Sequence, residues 1–197
     1  MQERHEDEVL LWLQFKNGDR DAFAALYQKF IIPLIAYGTR LCPDRELLKD
    51  QIQELFVELW NSRENLSIPG AIRFYLLKAL RYKLIRHEKH RRTSVDVSHD
   101  HYTNTLMEAS IETSIIEKEA YESWRILLKD ALSHLTLRQQ EIIQLRFYQG
   151  FSHEQIAELM DVNYQSVSNL LHKALYRLKE KIKMPVFVFV CLALSLA

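Results

Sequence analysis

Glycine and proline are scarce in this chain, four of each among 197 residues. Few turns are therefore obligatory. Cysteine is scarcer still. Cys42 and Cys191 lie far apart and no CxxC pair is present, which fits a reducing cytosol with Cys42 as a small buried apolar group. Net charge is absent, because 26 basic residues offset 26 acidic ones. Taken alone, that balance argues against a nucleic-acid binder. No apolar run reaches the roughly twenty residues that a membrane-spanning helix needs. The nearest is the stretch from Val186 to Ala197, twelve residues without a charge. It reads either as a segment that packs on the second domain or a partner, or as a membrane-surface or oligomer contact. The opening MQERHEDEVLLWLQF has no basic region followed by an apolar run, so no signal peptide is expected.

Catalytic signatures are missing as well. No GxGxxG, phosphate-binding loop, HExxH or activated Ser/Cys setting occurs. His87 with His90, and His99 with His101, stand in basic or polar surroundings without cysteine partners. No catalytic residue, metal, cofactor or small-molecule substrate is expected.

What is present is helix-forming. Leu, Glu, Lys, Gln, Arg and Ala are abundant, and all favour helix. The charge is also unevenly placed. From Arg73 to Arg92, eight cations face only Glu88, a net +7. From Ser94 to Glu122, seven acids face only Lys118, a net −6. From Tyr164 to Lys183, five cations face only Glu180, a net +4. Two basic blocks thus flank an acidic segment, and the zero total hides them.

Apolar periodicity predicts the elements. Val9, Leu10, Trp12, Leu13 and Phe15 mark a short amphipathic helix over about 6–16, which Asn17-Gly18-Asp19 breaks. Asp19 then caps a helix through Phe23, Leu26, Tyr27 and Phe30. Pro33 predicts a break or bend, with the pattern resuming to Leu41. Residues 44–60 form the clearest helix of the first half. Ile52, Leu55, Phe56, Leu59 and Trp60 make one continuous stripe, and Asp50, Gln53, Glu54, Val57 and Glu58 lie off it. A further helix is expected over 71–90. The stretch 94–114 is rich in Ser, Thr, Asp, Asn and His and loses periodicity, as a flexible acidic linker would. Trp124, Leu127, Leu128, Ala131, Leu132 and Leu135 open a second domain.

Three local signals follow. Thr136-Leu-Arg-Gln139 and Ser152-His-Glu-Gln155 both fit the capping box. Gly150 between them suits a left-handed C-terminal cap. Asp161-Val162-Asn163 is a tight turn whose Asn163 caps the last helix, with Val167, Leu170, Leu171, Leu175 and Leu178 inward. A short helix, a three-residue turn and a longer basic helix make a helix-turn-helix. Tyr164, Gln165, Ser166, Ser168, Asn169, His172 and Lys173 face outward and can read base edges; Lys173 and Arg177 can neutralise phosphates. A plain helical hairpin with a solvated face is the competing reading.

The span 135–182, LTLRQQEIIQLRFYQGFSHEQIAELMDVNYQSVSNLLHKALYRLKEKI, closely resembles the minus-thirty-five-binding domain of bacterial sigma factors. Asp161 departs from it, since Gly is common there. DQIQELFVELW (50–60) resembles the sigma helix that docks on the polymerase clamp, with Asp50, Gln53, Phe56 and Trp60 matching. FYLLKALRYKLIRHEKHRR (74–92) resembles the helix that engages the minus-ten element, although Tyr82 and Arg86 stand where Asn and Asp are frequent.

Two such domains without an intervening one look like the extracytoplasmic-function group of the sigma-70 family. The resemblance implies an all-α protein of two small helical domains: sigma region 2 over 6–93, an acidic flexible linker over 94–120, sigma region 4 over 121–183 and an apolar tail over 184–197. It implies core RNA polymerase as a partner at Asp50, Gln53, Glu54, Val57 and Glu58. It implies promoter DNA as a second partner at Arg73, Lys78, Arg81, Tyr82, Arg86, Asn61 and Arg63, with the 61–69 loop holding a flipped base. Tyr75 and Tyr82 either stack on bases or pack in the core. The resemblance further implies an anti-sigma factor and a cytoplasmic location, membrane-proximal if that partner or the tail makes it so. A helix-turn-helix regulator that acts without polymerase is the alternative.

Overall fold

The computed structural model describes residues 2–94 and 126–182, and every described element is helical. The expected linker, the tail, Trp124, His99, His101, Cys191 and Lys183 lie outside the described residues. The chain divides into two compact units, Met1–Tyr102 and Thr103–Ala197.

Unit 1 is a four-helix assembly: α1 (Gln2–Lys16), α2 (Arg20–Leu41), α3 (Arg45–Ser62) and α4 (Ile72–Ser94), with a 3-10 turn at Arg63–Asn65. The helix α2 is central and packs against α1, α3 and α4. Asp19 caps it as expected, its carboxylate accepting from Asp21 N at 2.8 Å and Ala22 N at 3.1 Å. Asp44 does the same for α3. The core joins Trp12 and Phe15 of α1 to Leu26, Phe30, Leu34 and Tyr37 of α2. Leu48, Ile52, Leu55, Phe56 and Leu59 of α3, with Ile72, Leu76, Leu77, Leu80 and Leu84 of α4, complete it. Gly38 allows a close approach: Leu48 Cδ1 occupies the space a Cβ there would need, so a larger residue would force Leu48 to shift.

Three expectations change in this unit. Pro33 breaks nothing, and α2 runs continuously through it. Proline removes one backbone donor, but Phe30, Leu34 and Tyr37 on either side are buried and hold the helix in register. The expected face of α1 is narrower than its sequence suggests, because only Trp12 and Phe15 are fully buried while Leu10 is 57% exposed. Finally, α1 begins earlier than residue 6 and α4 ends later than residue 90.

Unit 2 contains helical residues 126–133 (α5), α6 (Leu137–Ile143), α7 (His153–Met160) and α8 (Tyr164–Lys181). Both capping boxes form. Thr136 and Gln139 satisfy each other's backbone N–H, and Ser152 and Gln155 do likewise. Such a cap contributes about 1 kcal/mol. Gly150 has φ +70, as a left-handed cap needs. Between them α6 widens into a π-helical turn at Gln144–Tyr148, which periodicity did not signal. The N–H of Phe151 reaches back to Leu145 O at 3.0 Å and closes it. The face of α6 carries buried polar groups, and Gln140 Nε2 donates to Leu132 O and Leu135 O, both at 3.1 Å. Leu170 and Leu175, expected inward, are only half-buried, and Ala174 is buried between their turns.

Candidate nucleic-acid and polymerase interface

The turn between α7 and α8 sets the geometry of unit 2. Asp161 sits at φ 54, ψ 55, in the left-handed region where glycine is favoured. Val162 N then bonds Ala157 O at 3.0 Å, and Asn163 Oδ1 accepts from Ser166 N at 2.7 Å. The chain therefore reverses sharply, and Asn163 caps the first turn of α8. Ile156, Leu159 and Met160 of α7 and Val167, Leu171, Ala174 and Leu178 of α8 are buried. They fix the crossing.

On the opposite face, Tyr164, Gln165, Ser166, Asn169, His172, Lys173 and Arg177 are exposed and Ser168 is half-buried. Gln165, Asn169, His172 and Lys173 fall at helical spacing and form one stripe. Gln165 Nε2 donates to Asn169 Oδ1 at 3.3 Å, so two amides are already aligned along it. Tyr164 makes an edge contact with His153 at 5.5 Å, joining the first turns of α7 and α8. Arg177 is partly committed: its NH1 donates to Gln139 Oε1 at 2.9 Å and ties α8 to the capping box of α6. The carboxyl of Glu154 is held below its usual range, first by the Ser152 hydroxyl and then by its own backbone N–H.

In unit 1 the cations of α4 are displayed unequally. Arg73, Lys78 and Arg86 are exposed, Arg81 is half-buried, and Tyr82 is 66% exposed. Tyr75 differs. Its ring packs edge-on against Trp12 at 5.7 Å, and burial pushes its phenol above the usual range. Tyr75 thus packs on Trp12, while it also lines the open groove between α3 and α4.

The loop after α3 is fastened to α1. Trp12 Nε1 donates to Ser67 O at 3.2 Å, and Lys16 Nζ donates to Leu66 O. Asn61 is exposed at its start. Arg63, one of the residues expected at DNA, already has partners within the fold. Its guanidinium lies over the Trp60 ring at 4.8 Å, NH1 donates to Trp60 O at 2.9 Å, and NH2 pairs with Glu64. Neither the fastening nor the Arg63 stacking had a signal in periodicity or charge, because both depend on contacts that only the folded chain makes.

On α3, Asp50, Gln53, Glu54, Val57 and Glu58 are all exposed, and Val57 is 50% accessible. They lie together opposite the buried stripe. Two of the acids pair with a cation of the basic block 73–92. Lys83 Nζ lies 2.7 Å from Glu58 and 3.3 Å from Glu54. The three residues line an open groove of about 590 Å³ between α3 and α4.

The family model described as Sigma-70, region 4, matches residues 125–178, the span that contains the helix-turn-helix. Over a longer range the chain is similar to RNA polymerase sigma factor YlaC of Bacillus subtilis. The two are 26% identical over 164 residues, which cover 82% of this chain and 92% of that protein. It is also similar to the ECF RNA polymerase sigma factor SigL of Mycobacterium tuberculosis, 26% identical over 79% of this chain and 85% of the relative. Residues 125–178 thus match sigma-70 region 4, and over most of its length the chain is similar to RNA polymerase sigma factors, several of them named as extracytoplasmic-function (ECF) ones.

Two solved structures share the fold. One is CnrH in complex with the cytosolic domain of CnrY, 17% identical, with a TM-score of 0.57 over 88% of this chain and 95% of that one. The other is the sigma factor RpoE in complex with the anti-sigma factor NepR from Bartonella quintana. It is 18% identical, with a TM-score of 0.59 over 82% of this chain and 97% of that one. The matched span takes in α5, α6, α7 and most of α8 of unit 2. Among the described residues no helix is long and apolar enough to cross a membrane.

Proposed function

We propose that this chain is a transcription initiation factor of the sigma-70 family that binds core RNA polymerase and directs it to promoters. Unit 1 engages polymerase and the minus-ten element; unit 2 engages the minus-thirty-five element. The observation that carries the reading is the pairing of two cationic helical faces, on α4 and on α8, with a separate exposed polar face on α3. One surface alone would serve a simple DNA binder. Three suit a protein that bridges an enzyme and a duplex.

The roles divide by chemistry. Gln165 and Asn169 present amides that can pair with adenine edges, and Tyr164, Ser166, Ser168 and His172 supply further polar contacts in the major groove. Lys173 neutralises phosphate, and Arg177 does so with the donors that Gln139 leaves free. Arg73, Lys78, Arg81 and Arg86 bind the backbone of the opening duplex, while Tyr82 stacks on an unpaired base. Asn61 contributes from the loop. Arg63 stands beside it, held over the Trp60 ring. Asp50, Gln53, Glu54 and Glu58 meet a basic polymerase surface around the apolar Val57. The domains run over 6–93 and 121–183, with 94–120 as linker and 184–197 as tail.

A factor of this kind performs no bond chemistry of its own and needs no cofactor. It works in the cytoplasm. An anti-sigma protein is a further partner, since two proteins of this fold are named in complexes with such regulators or with a cytosolic domain. The test is in vitro transcription with core polymerase across genomic fragments. Run-off products that depend on this chain are expected. Duplex binding without any polymerase-dependent product would instead make it a helix-turn-helix regulator.

A further inference from the structure

The block of cations on α4 does not act as a uniform phosphate-binding surface, because one of its members is neutralised from the neighbouring helix. Lys83 Nζ bridges Glu58 Oε1 at 2.7 Å and Glu54 Oε2 at 3.3 Å. Its side chain is 14% exposed, against 57% and 54% for the two acids. The ammonium is thus the inner member of the triad and the carboxylates are the outer ones. Glu54 and Glu58 are four residues apart on α3, so a single cation satisfies both from one position.

Two features make this arrangement reversible. The groove around Lys83 is open and also carries Tyr82 and Arg86 of α4, so the long lysine stem has room to turn outward beside them. The acids, more than half exposed, stay accessible to a cationic surface that approaches α3 from solvent. Such a surface competes with Lys83 for the same oxygens.

We propose that Lys83 is a further DNA-phosphate ligand of α4, masked by Glu54 and Glu58 in the free chain and released when a cationic partner surface engages those acids. The inference rests on the assignment of α3 to polymerase and α4 to DNA. It adds that the two contacts are linked through one charge. Binding at α3 then raises the affinity of α4 for nucleic acid, and by reciprocity DNA at α4 favours engagement of α3.

The test measures affinity of the full-length chain for a fluorescent non-specific duplex as a function of salt. Each phosphate contact contributes about 0.9 to the log–log slope. In the free wild-type chain, Lys83→Gln should leave the slope unchanged. Glu54→Gln with Glu58→Gln imitates the engaged acids and should steepen it by about 0.9, which makes the gain in affinity about 3.5-fold larger at 50 mM than at 200 mM salt. Adding Lys83→Gln to that pair should remove the steepening. A gain that survives Lys83→Gln reflects general repulsion by the acids and overturns the proposal, as does no gain at all.

Arg86→Gln separates the two levels. If it flattens the slope while the acid pair has no effect, the masking fails and α4 still faces DNA. If Arg86→Gln changes nothing, the assignment of α4 itself fails. With polymerase bound, Lys83→Gln should flatten the slope of the promoter complex by about 0.9; an unchanged slope there refutes the release.

Discussion

Asp161 shows what one residue contributes to the recognition unit. Among the described residues it is the only non-glycine with positive φ. Its left-handed backbone costs an L-residue on the order of 1 kcal/mol, less for Asp because its side chain bonds locally. Asp161→Gly should therefore raise thermal stability slightly, by up to about 1 kcal/mol, and Asp161→Val should lower it by at least that amount. Thermal melts of the two variants check the sign. Glu154 gives a pH prediction. Its folded carboxyl is held below the ordinary value, mainly by Ser152. The stabilisation is therefore present above that ordinary value and is lost as pH falls through the folded one. Glu154→Gln should flatten the acid limb of the stability curve, and a limb unchanged by the substitution would contradict the assignment. The conformation of Asp161 was suggested beforehand by the resemblance, in which Gly is common at that position. The fate of Arg63 and Tyr75 was not, since charge and aromaticity suit both a ligand contact and a packing contact.

Elements carry the next level of specification. The capping boxes could be read directly, because their partners are three residues apart and form without tertiary help. Ser152→Ala should cost about 1 kcal/mol, as capping losses do, with the strongest loss of amide protection in α7. The π-turn at Gln144–Tyr148 and the passage of α2 through Pro33 were illegible for the same reason. Local rules favour regular helix or a break, and burial of the flanking side chains decided otherwise. On α8 the stripe is expected to divide by chemistry. Asn169→Ala should lose sequence discrimination, worth about 1–3 kcal/mol at the base pair it reads. Lys173→Gln should weaken binding to all sequences alike and reduce the salt slope by about 0.9. Competition titrations with matched and scrambled duplexes separate the two outcomes.

For the molecule as a whole, zero net charge is a sum that conceals function. Basic helices, an acidic segment and an acid-bearing face on α3 cancel in the total but lie at different places in the chain. Part of that distribution was visible from charge spacing alone, and the all-helical class followed from periodicity. The pairing of Lys83 with Glu54 and Glu58 was not visible, because it joins residues on two helices whose registry only packing determines. The account stands or falls on whether the docking face of α3 binds the transcribing enzyme. The direct measurement is a titration of the labelled full-length chain with purified core RNA polymerase at modest salt. Saturable one-to-one binding is expected, weakened at least tenfold, about 1.4 kcal/mol, by Asp50→Arg. No binding, or binding indifferent to Asp50→Arg, would contradict it.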